Sequence, residues 1–279
     1  MIIDLTTGFN ELDLFAIRYH ELDNIVDKFI IIEATHTHSG LPKPFYFSDW
    51  KNGVTTHNGI AFGDVFDANK IDIYGWDNSG YPNDNAGAWL RENVQRELLL
   101  NTVGHYPDDT IAMLSDMDEI PRAEALEQWL CGREDMAPFG NSVWRFEQSL
   151  SYLYFNTTAG NWHGTKIFPL SVPRNSTLER PMTHGIRYLS EHQFGGTIQN
   201  GGWHFSSCGG LARVRTKFDS YAHTEMQLKT TDDINDSLQR LVDPFHKNPL
   251  TLQLMQFLPE YVQTNIDYFR SQGYIYDFS

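Results

Sequence analysis

Read for its apolar and polar positions, the chain alternates strand and helix through its first half. Ile2 to Thr6 form a short strand candidate. Asn10 stands where a helix N-cap is expected, with Asp13 completing a variant of the capping box. Leu12, Phe15, Tyr19 and Leu22 then recur at three- and four-residue spacing, one apolar face of a helix. Phe29-Ile30-Ile31-Ile32 is a continuous apolar run, the pattern of a strand buried on both faces of a parallel sheet. Strand, helix, strand opens a βαβ unit.

Residues 36–85 are rich in Gly, Asn, Asp and Pro and read as loop with short strands. A second helix covers about Ala88 to Asn101, with Leu90, Val94 and Leu98 inward and Glu92–Arg96 as an i,i+4 pair. Thr110 to Leu114 is another buried strand, running into Ser115-Asp116-Met117-Asp118-Glu119-Ile120-Pro121 and then a helix bearing Leu126 and Leu130. From Asn141 to about His204 the pattern changes. Val143 to Phe146, Tyr152 to Phe155, Ile167-Phe168 and Ile186 to Leu189 alternate with turn residues, as in an antiparallel extension of the sheet. Beyond Gly210 the chain reads as helical through Leu238, Leu241 and Leu252 to Phe257. No repeat or linker interrupts it, so one α/β domain is expected over residues 1–279, with halves at 1–140 and 141–279.

Composition narrows the class. The chain is 41% hydrophobic and 20% charged, as for a globular protein with a sizeable core. Its 14% aromatic content fits a carbohydrate cleft and an ordinary aromatic core equally well. A net charge of −15 repels a phosphate backbone and argues against nucleic-acid binding. An anionic ligand then needs local help from a bound cation or placed Arg and Lys side chains. Cys131 and Cys208 make neither a disulfide framework nor a zinc-ligand spacing. The chain opens on Ile2-Ile3-Asp4-Leu5 without a leader pattern, and no run of about 18 apolar residues occurs. A soluble, cytoplasmic protein with no membrane span is the expectation. The sequon-like triplets at Asn156, Asn175 and Asn235 are then chance matches.

Three constellations carry chemistry. Asp116, Asp118 and Glu119 place three carboxylates in four positions past a buried strand, where they repel one another unless a cation sits among them. Ligands of parallel α/β sheets bind at that end of the strands, and Mg²⁺ or Mn²⁺ prefers such oxygens. The same triplet also suits an exposed acidic turn. In Gly201-Gly202-Trp203-His204-Phe205 the paired glycines permit close backbone approach, and His204 suits a metal ligand, a diphosphate donor, a base or a core imidazole. On the second helix, Arg91 and Gln95 share a face with Arg96 close by. Guanidinium groups there either grip a diphosphate or form a solvated face.

Together these residues resemble glycosyltransferase family 17. The likeness runs from Asn10-Glu11-Leu12-Asp13-Leu14 with Ile17-Arg18 and Glu21-Leu22, through Val26-Asp27-Lys28-Phe29 to Glu33, and Gly40-Leu41-Pro42-Lys43-Pro44. It continues in Arg91-Glu92-Asn93 with Gln95-Arg96, in Asp109 through Pro121, and in Gly202-Trp203-His204, covering roughly residues 2 to 245. The resemblance implies a GT-A-like fold whose first half binds a nucleotide sugar and whose second half faces the acceptor. It also implies inverting transfer of a sugar, N-acetylglucosamine above all, from a UDP-sugar donor to a glycan acceptor. Asp116 and Asp118 are then the DxD pair holding Mn²⁺ or Mg²⁺: Asp118 directly, Asp116 through water or the ribose, with His204 completing the shell. Lys43, Arg91 and Arg96 join the cofactor-binding set. Glu11 and Glu33, near the first two strand ends, meet the uracil or ribose. Inversion needs a base, for which Glu225 is the first candidate and Glu191 the second.

Two other classes compete. A glycoside hydrolase also works with two carboxylates but needs no metal on a diphosphate. A non-catalytic sugar-binding protein on a degenerate transferase fold would ignore UDP and metal alike.

Overall fold

The computed structural model describes residues 1–133, 142–175 and 182–277. Strands β1 (Ile2–Gly8) and β2 (Lys28–Ala34) pair in parallel around helix α1 (Leu12–Leu22), with Leu5 opposite Ile30. The continuous apolar run of β2 is used on both faces. Phe29 and Ile31 enter one core with Phe15 and Leu22 of α1, while Ile30 and Ile32 enter a second with Leu99 and Val103. A strand sandwiched this way needs an unbroken apolar run.

The loop-rich stretch after β2 holds a short helix α2 (Tyr46–Lys51) and strand β3 (Ile71–Trp76), which pairs in parallel with β2. Helix α3 (Asn85–Thr102) is capped by Asp84, whose side chain accepts from the Gly87 N–H at 2.7 Å. β4 (Ile111–Asp116) lies parallel to β1 on its other side, and β5 (Glu119–Pro121) follows a tight turn before α4 (Ala123–Arg133).

The second half continues the same sheet. β6 (Val143–Leu153) leads through the short β7 (Thr157–Thr158) to β8 (Asn161–Pro169), which is antiparallel to both β4 and β6. Then come α5 (Ser171–Asn175), α6 (Met182–Arg187), β9 (Phe194–Ile198), β10 (Gly202–Cys208), α7 (Gly210–Ser220) and α8 (Thr231–Arg240). β9 and β10 both run parallel to β6. The result is one nine-stranded mixed sheet in the order β3-β2-β1-β4-β8-β6-β10-β5, with β9 also on β6. The chain closes with β11 (Thr251–Leu252), paired to β7, and helices α9 (Glu260–Thr264) and α10 (Ile266–Ser271). This mixed α/β architecture is the GT-A-like class expected from sequence. No helix among the described residues is long and apolar enough to cross a membrane. The 140/141 boundary and the end of the Asn175 triplet lie outside the described residues.

Four local expectations are corrected. α1 starts after Glu11, and its N-terminus carries no side-chain cap. Asp13 is buried instead, accepting from the hydroxyls of Tyr268 at 2.6 Å and Tyr274 at 3.0 Å, so it ties α1 to the C-terminal segment. The stretch Ile186–Leu189 is not a strand; α6 covers Met182–Arg187, with Ile186 fully buried. The inward face of α3 is Ala88, Arg91, Gln95 and Leu99, whereas Leu90 stays 46% exposed. Beyond α8 the chain is not continuously helical, since Leu241 takes a left-handed C-cap conformation and Leu252 lies in β11.

Candidate active site

The C-terminal ends of β1 and β2 open onto a cleft. Thr7, Gly8, Phe9 and Glu11 form its β1 side, and His36, Thr37, His38 and Lys43 its β2 side. Gln95 of α3 reaches in from one face, and Lys217, Ser220 and Tyr221 of α7 and its exit close the other. Ligand sites of open parallel sheets sit at this edge because the strands splay there and their connections diverge. Gln95 is fixed at both ends of its amide. Its Nε2 donates to Ile32 O at 2.7 Å, so its Oε1 is the acceptor facing His38 Nε2 at 2.9 Å.

Two polar groups in this cleft are left without hydrogen-bond partners among the described residues: the Lys43 ammonium and the Tyr221 hydroxyl. Burial brings the Lys43 amine down to about 8, against the opposing pull of Glu33 and Glu11. Its ammonium also lies 5.6 Å from the Phe9 ring centre and 5.8 Å from that of Tyr46. A buried cation without a hydrogen-bond acceptor is costly until a ligand supplies one. Burial also raises the Glu11 carboxyl, although Lys217 pulls the other way.

Beside the cleft stands the carboxylate turn between β4 and β5. Both oxygens of Asp116 accept from Arg96 Nη2 at 2.8 Å, and Oδ2 also from Arg187 Nη2 at 3.1 Å. Arg187 binds Glu119 as well, at 3.0 and 3.1 Å. Burial alone would push the Asp116 carboxyl up, but the Arg187 and Arg96 guanidiniums hold it far below the usual carboxylate range. From beneath, the fully buried Arg18 fastens the same turn. It donates to both oxygens of Asp4 at 2.5 Å, to Ser115 Oγ at 2.6 Å and to Glu119 O at 2.7 Å.

Asp118 faces a different pair. Lys217 Nζ donates to its Oδ2 at 2.5 Å, and His204 Nε2 lies 3.5 Å from its Oδ1. Against the opposing effect of burial, Lys217 pulls the Asp118 carboxyl far down, and Asp118 in turn raises the Lys217 amine. β10 reaches this point through Gly202, whose φ of +129° and missing Cβ allow contact with the backbone of β5; an added Cβ would sit 2.1 Å from Ile120 O. The Phe205 N–H then donates to Asp118 O at 2.9 Å, locking His204 beside the turn.

The deciding comparison is with sequence families. The model described as glycosyltransferase family 17 matches residues 1–262. The chain belongs to glycosyltransferase family 17. Among curated relatives, the human β-1,4-mannosyl-glycoprotein 4-β-N-acetylglucosaminyltransferase is 24% identical over 45% of this chain and 22% of its own length. The rat protein of that name is 24% identical over 42% of this chain and 21% of its own length. The matched region thus spans about a fifth of those relatives. A solved structure, a Francisella tularensis 2-C-methyl-D-erythritol 4-phosphate cytidylyltransferase, aligns with TM-score 0.33 and 9% identity over 85% of this chain and 96% of that one, too distant to weigh.

Within this family member the expected site residues separate into two groups. Glu11 and Lys43 line the cleft. Asp116, Asp118, His204 and Arg96 gather at the turn beside it. The other four are used elsewhere. Glu33 is fully buried and accepts from the Phe47 and Ser48 N–H groups at 3.0 and 2.7 Å, serving the open start of α2. Arg91 is also fully buried and staples loops, donating to His38 O and Tyr81 O at 3.2 and 2.7 Å. Glu191 has a 78% exposed side chain held by Arg145 at 2.5 Å. Glu225 has a 62% exposed side chain paired to His223 at 2.8 Å, and it is not in the cleft lining.

The DxD pattern implies a divalent ion, and the two aspartates stand differently toward it. Asp116 does not fit direct ligation, because both of its oxygens are occupied by guanidinium groups. Asp118 and His204 fit in part: Asp118 Oδ1 and His204 Nε2 lie 3.5 Å apart, while Asp118 Oδ2 is held by Lys217. Among the described residues no group of three His, Cys, Asp or Glu side chains converges. The arrangement suits an ion completed by ligand oxygens and water. Sequence reasoning missed Lys217, Arg187 and Tyr221, which come from segments far from the carboxylates and carry no motif of their own.

Proposed function

We propose that this chain transfers N-acetylglucosamine from UDP to a hydroxyl of a glycan, with inversion at the anomeric carbon. The observation that carries the reading is the unpartnered Lys43 ammonium in a cleft at the parallel strand ends, beside the Asp118–Lys217 pair. A nucleotide diphosphate supplies the acceptors that Lys43 lacks. Lys217 adds a second cation and Tyr221 a hydroxyl donor, local help that a chain of net charge −15 requires. Glu11, on the β1 side, accepts from the uracil N–H or the ribose hydroxyls.

Asp118 and His204 would hold a divalent ion, Mn²⁺ or Mg²⁺, which when bound would supply Lewis-acid neutralisation of the leaving diphosphate. Asp116 holds the turn through Arg96 and Arg187, and so fixes where Asp118 points. Neither Glu225 nor Glu191 is assigned as base, since neither side chain reaches the cleft. The transferred sugar and the mannosyl-glycoprotein type of acceptor are carried over from the human and rat relatives.

A two-carboxylate hydrolase is disfavoured by the same geometry. Its acid and its base or nucleophile must both face one glycosidic bond, and here Asp116 and Glu119 are committed to Arg187. The test is a donor panel, with nucleotide release measured for UDP-N-acetylglucosamine, UDP-glucose, UDP-galactose and GDP-mannose. The fastest release is expected from UDP-N-acetylglucosamine; preference for the GDP-sugar contradicts the reading.

A further inference from the structure

Trp162 lies on β8, opposite Gln148 of β6, and is 42% exposed. Single exposed aromatics are ordinary, but this one is tethered. Its indole Nε1–H donates to Glu119 Oε1 at 2.9 Å, and Glu119 is itself buried and clamped by Arg187. The ring is therefore held against the carboxylate turn while much of its surface stays in solvent.

Its position relative to the cleft gives it a use. Asp118 stands between the two, with Oδ2 toward Lys217 of the cleft and Oδ1 toward His204. The His204 ring centre is 5.4 Å from that of Trp162. An exposed aromatic face fixed in place matches the C–H face of a pyranose ring.

We propose that Trp162 is the platform on which a sugar ring of the acceptor stacks, an inference that rests on the glycosyltransferase reading above. Trp162 takes no part in donor binding, and it does not touch the reacting atoms. It sets where the acceptor lies relative to Asp118.

The test uses the full chain with Trp162→Ala and Trp162→Phe. UDP affinity is measured by calorimetry, and transfer from UDP-N-acetylglucosamine is followed against the concentration of a mannose-containing N-glycan oligosaccharide. The expected result for Trp162→Ala is an acceptor KM raised about tenfold, the worth of one aromatic face, with UDP affinity and kcat within about twofold of the parent. Trp162→Phe, which keeps a ring but loses the tether, falls between the two. In protein labelled with 5-fluorotryptophan, the ¹⁹F resonance that disappears in Trp162→Phe shifts on titration with methyl β-mannoside. Unchanged acceptor KM in Trp162→Ala with intact UDP binding overturns the platform alone. A parent protein that binds no UDP overturns the transferase reading and the platform with it.

Discussion

Lys217 Nζ and Asp118 Oδ2 lie 2.5 Å apart at the wall of the cleft, joining a helix of the second half to the turn after β4. The pair makes a stability prediction with a defined pH window. The Asp118 carboxyl is held down, so its contribution is present above the unfolded value of about 4 and is lost as pH falls toward the folded value. The Lys217 amine is held up, so its contribution is full below about 10.4 and is lost as pH rises through the folded value. Lys217→Met therefore melts below the parent at pH 7, and the gap narrows below about pH 4 and above about pH 10. Thermal scans across pH check this; a gap independent of pH assigns the loss to packing.

Arg187 makes the second prediction. Its guanidinium serves both Asp116 and Glu119, and its side chain is 6% exposed against 1% for Glu119. Arg187→Met leaves a buried carboxylate without its main cation, a change that costs about 3 kcal/mol or more. Urea unfolding measures it. Arg187→Lys recovers only part, because an ammonium cannot serve both carboxylates with a planar fork. A loss under about 1 kcal/mol shows that Arg96 and Arg18 hold the turn without it.

What the sequence revealed and what it hid follow from the same physics. β2 and α1 were readable because burial writes itself as an apolar run or a three-to-four spacing. The face of α3 was misread because its buried side carries Arg91, Glu92, Gln95 and Arg96, so the usual apolar signal fails where the helix meets the site. The carboxylates at 116, 118 and 119 were visible as a local cluster. Their partners were not, because Lys217 and Arg187 reach them only through the sheet order β4-β8-β6-β10 and the elements attached to it. Glu33 looked available for a ligand because α2, which it serves, lies in a stretch that reads as loop.

The metal assignment makes the third prediction. Asp118→Asn and His204→Ala each raise the Mn²⁺ concentration needed for half-maximal UDP binding, read by calorimetry without any turnover. Asp116→Asn leaves that concentration nearly unchanged, because its parent carboxylate is engaged by Arg96 and Arg187. If His204→Ala leaves the Mn²⁺ requirement where it was, His204 is not a ligand.

UDP affinity measured against pH, for the parent and for Lys43→Met, tests the central claim most directly. Burial brings the Lys43 amine down to about 8, and a bound diphosphate favours its charged form. UDP affinity of the parent should therefore fall as pH rises past about 8. Lys43→Met should bind about 10- to 100-fold more weakly at pH 7, the worth of one charge-assisted hydrogen bond, with that fall removed. Equal affinity of parent and variant, with the same pH profile, would contradict a nucleotide diphosphate in this cleft.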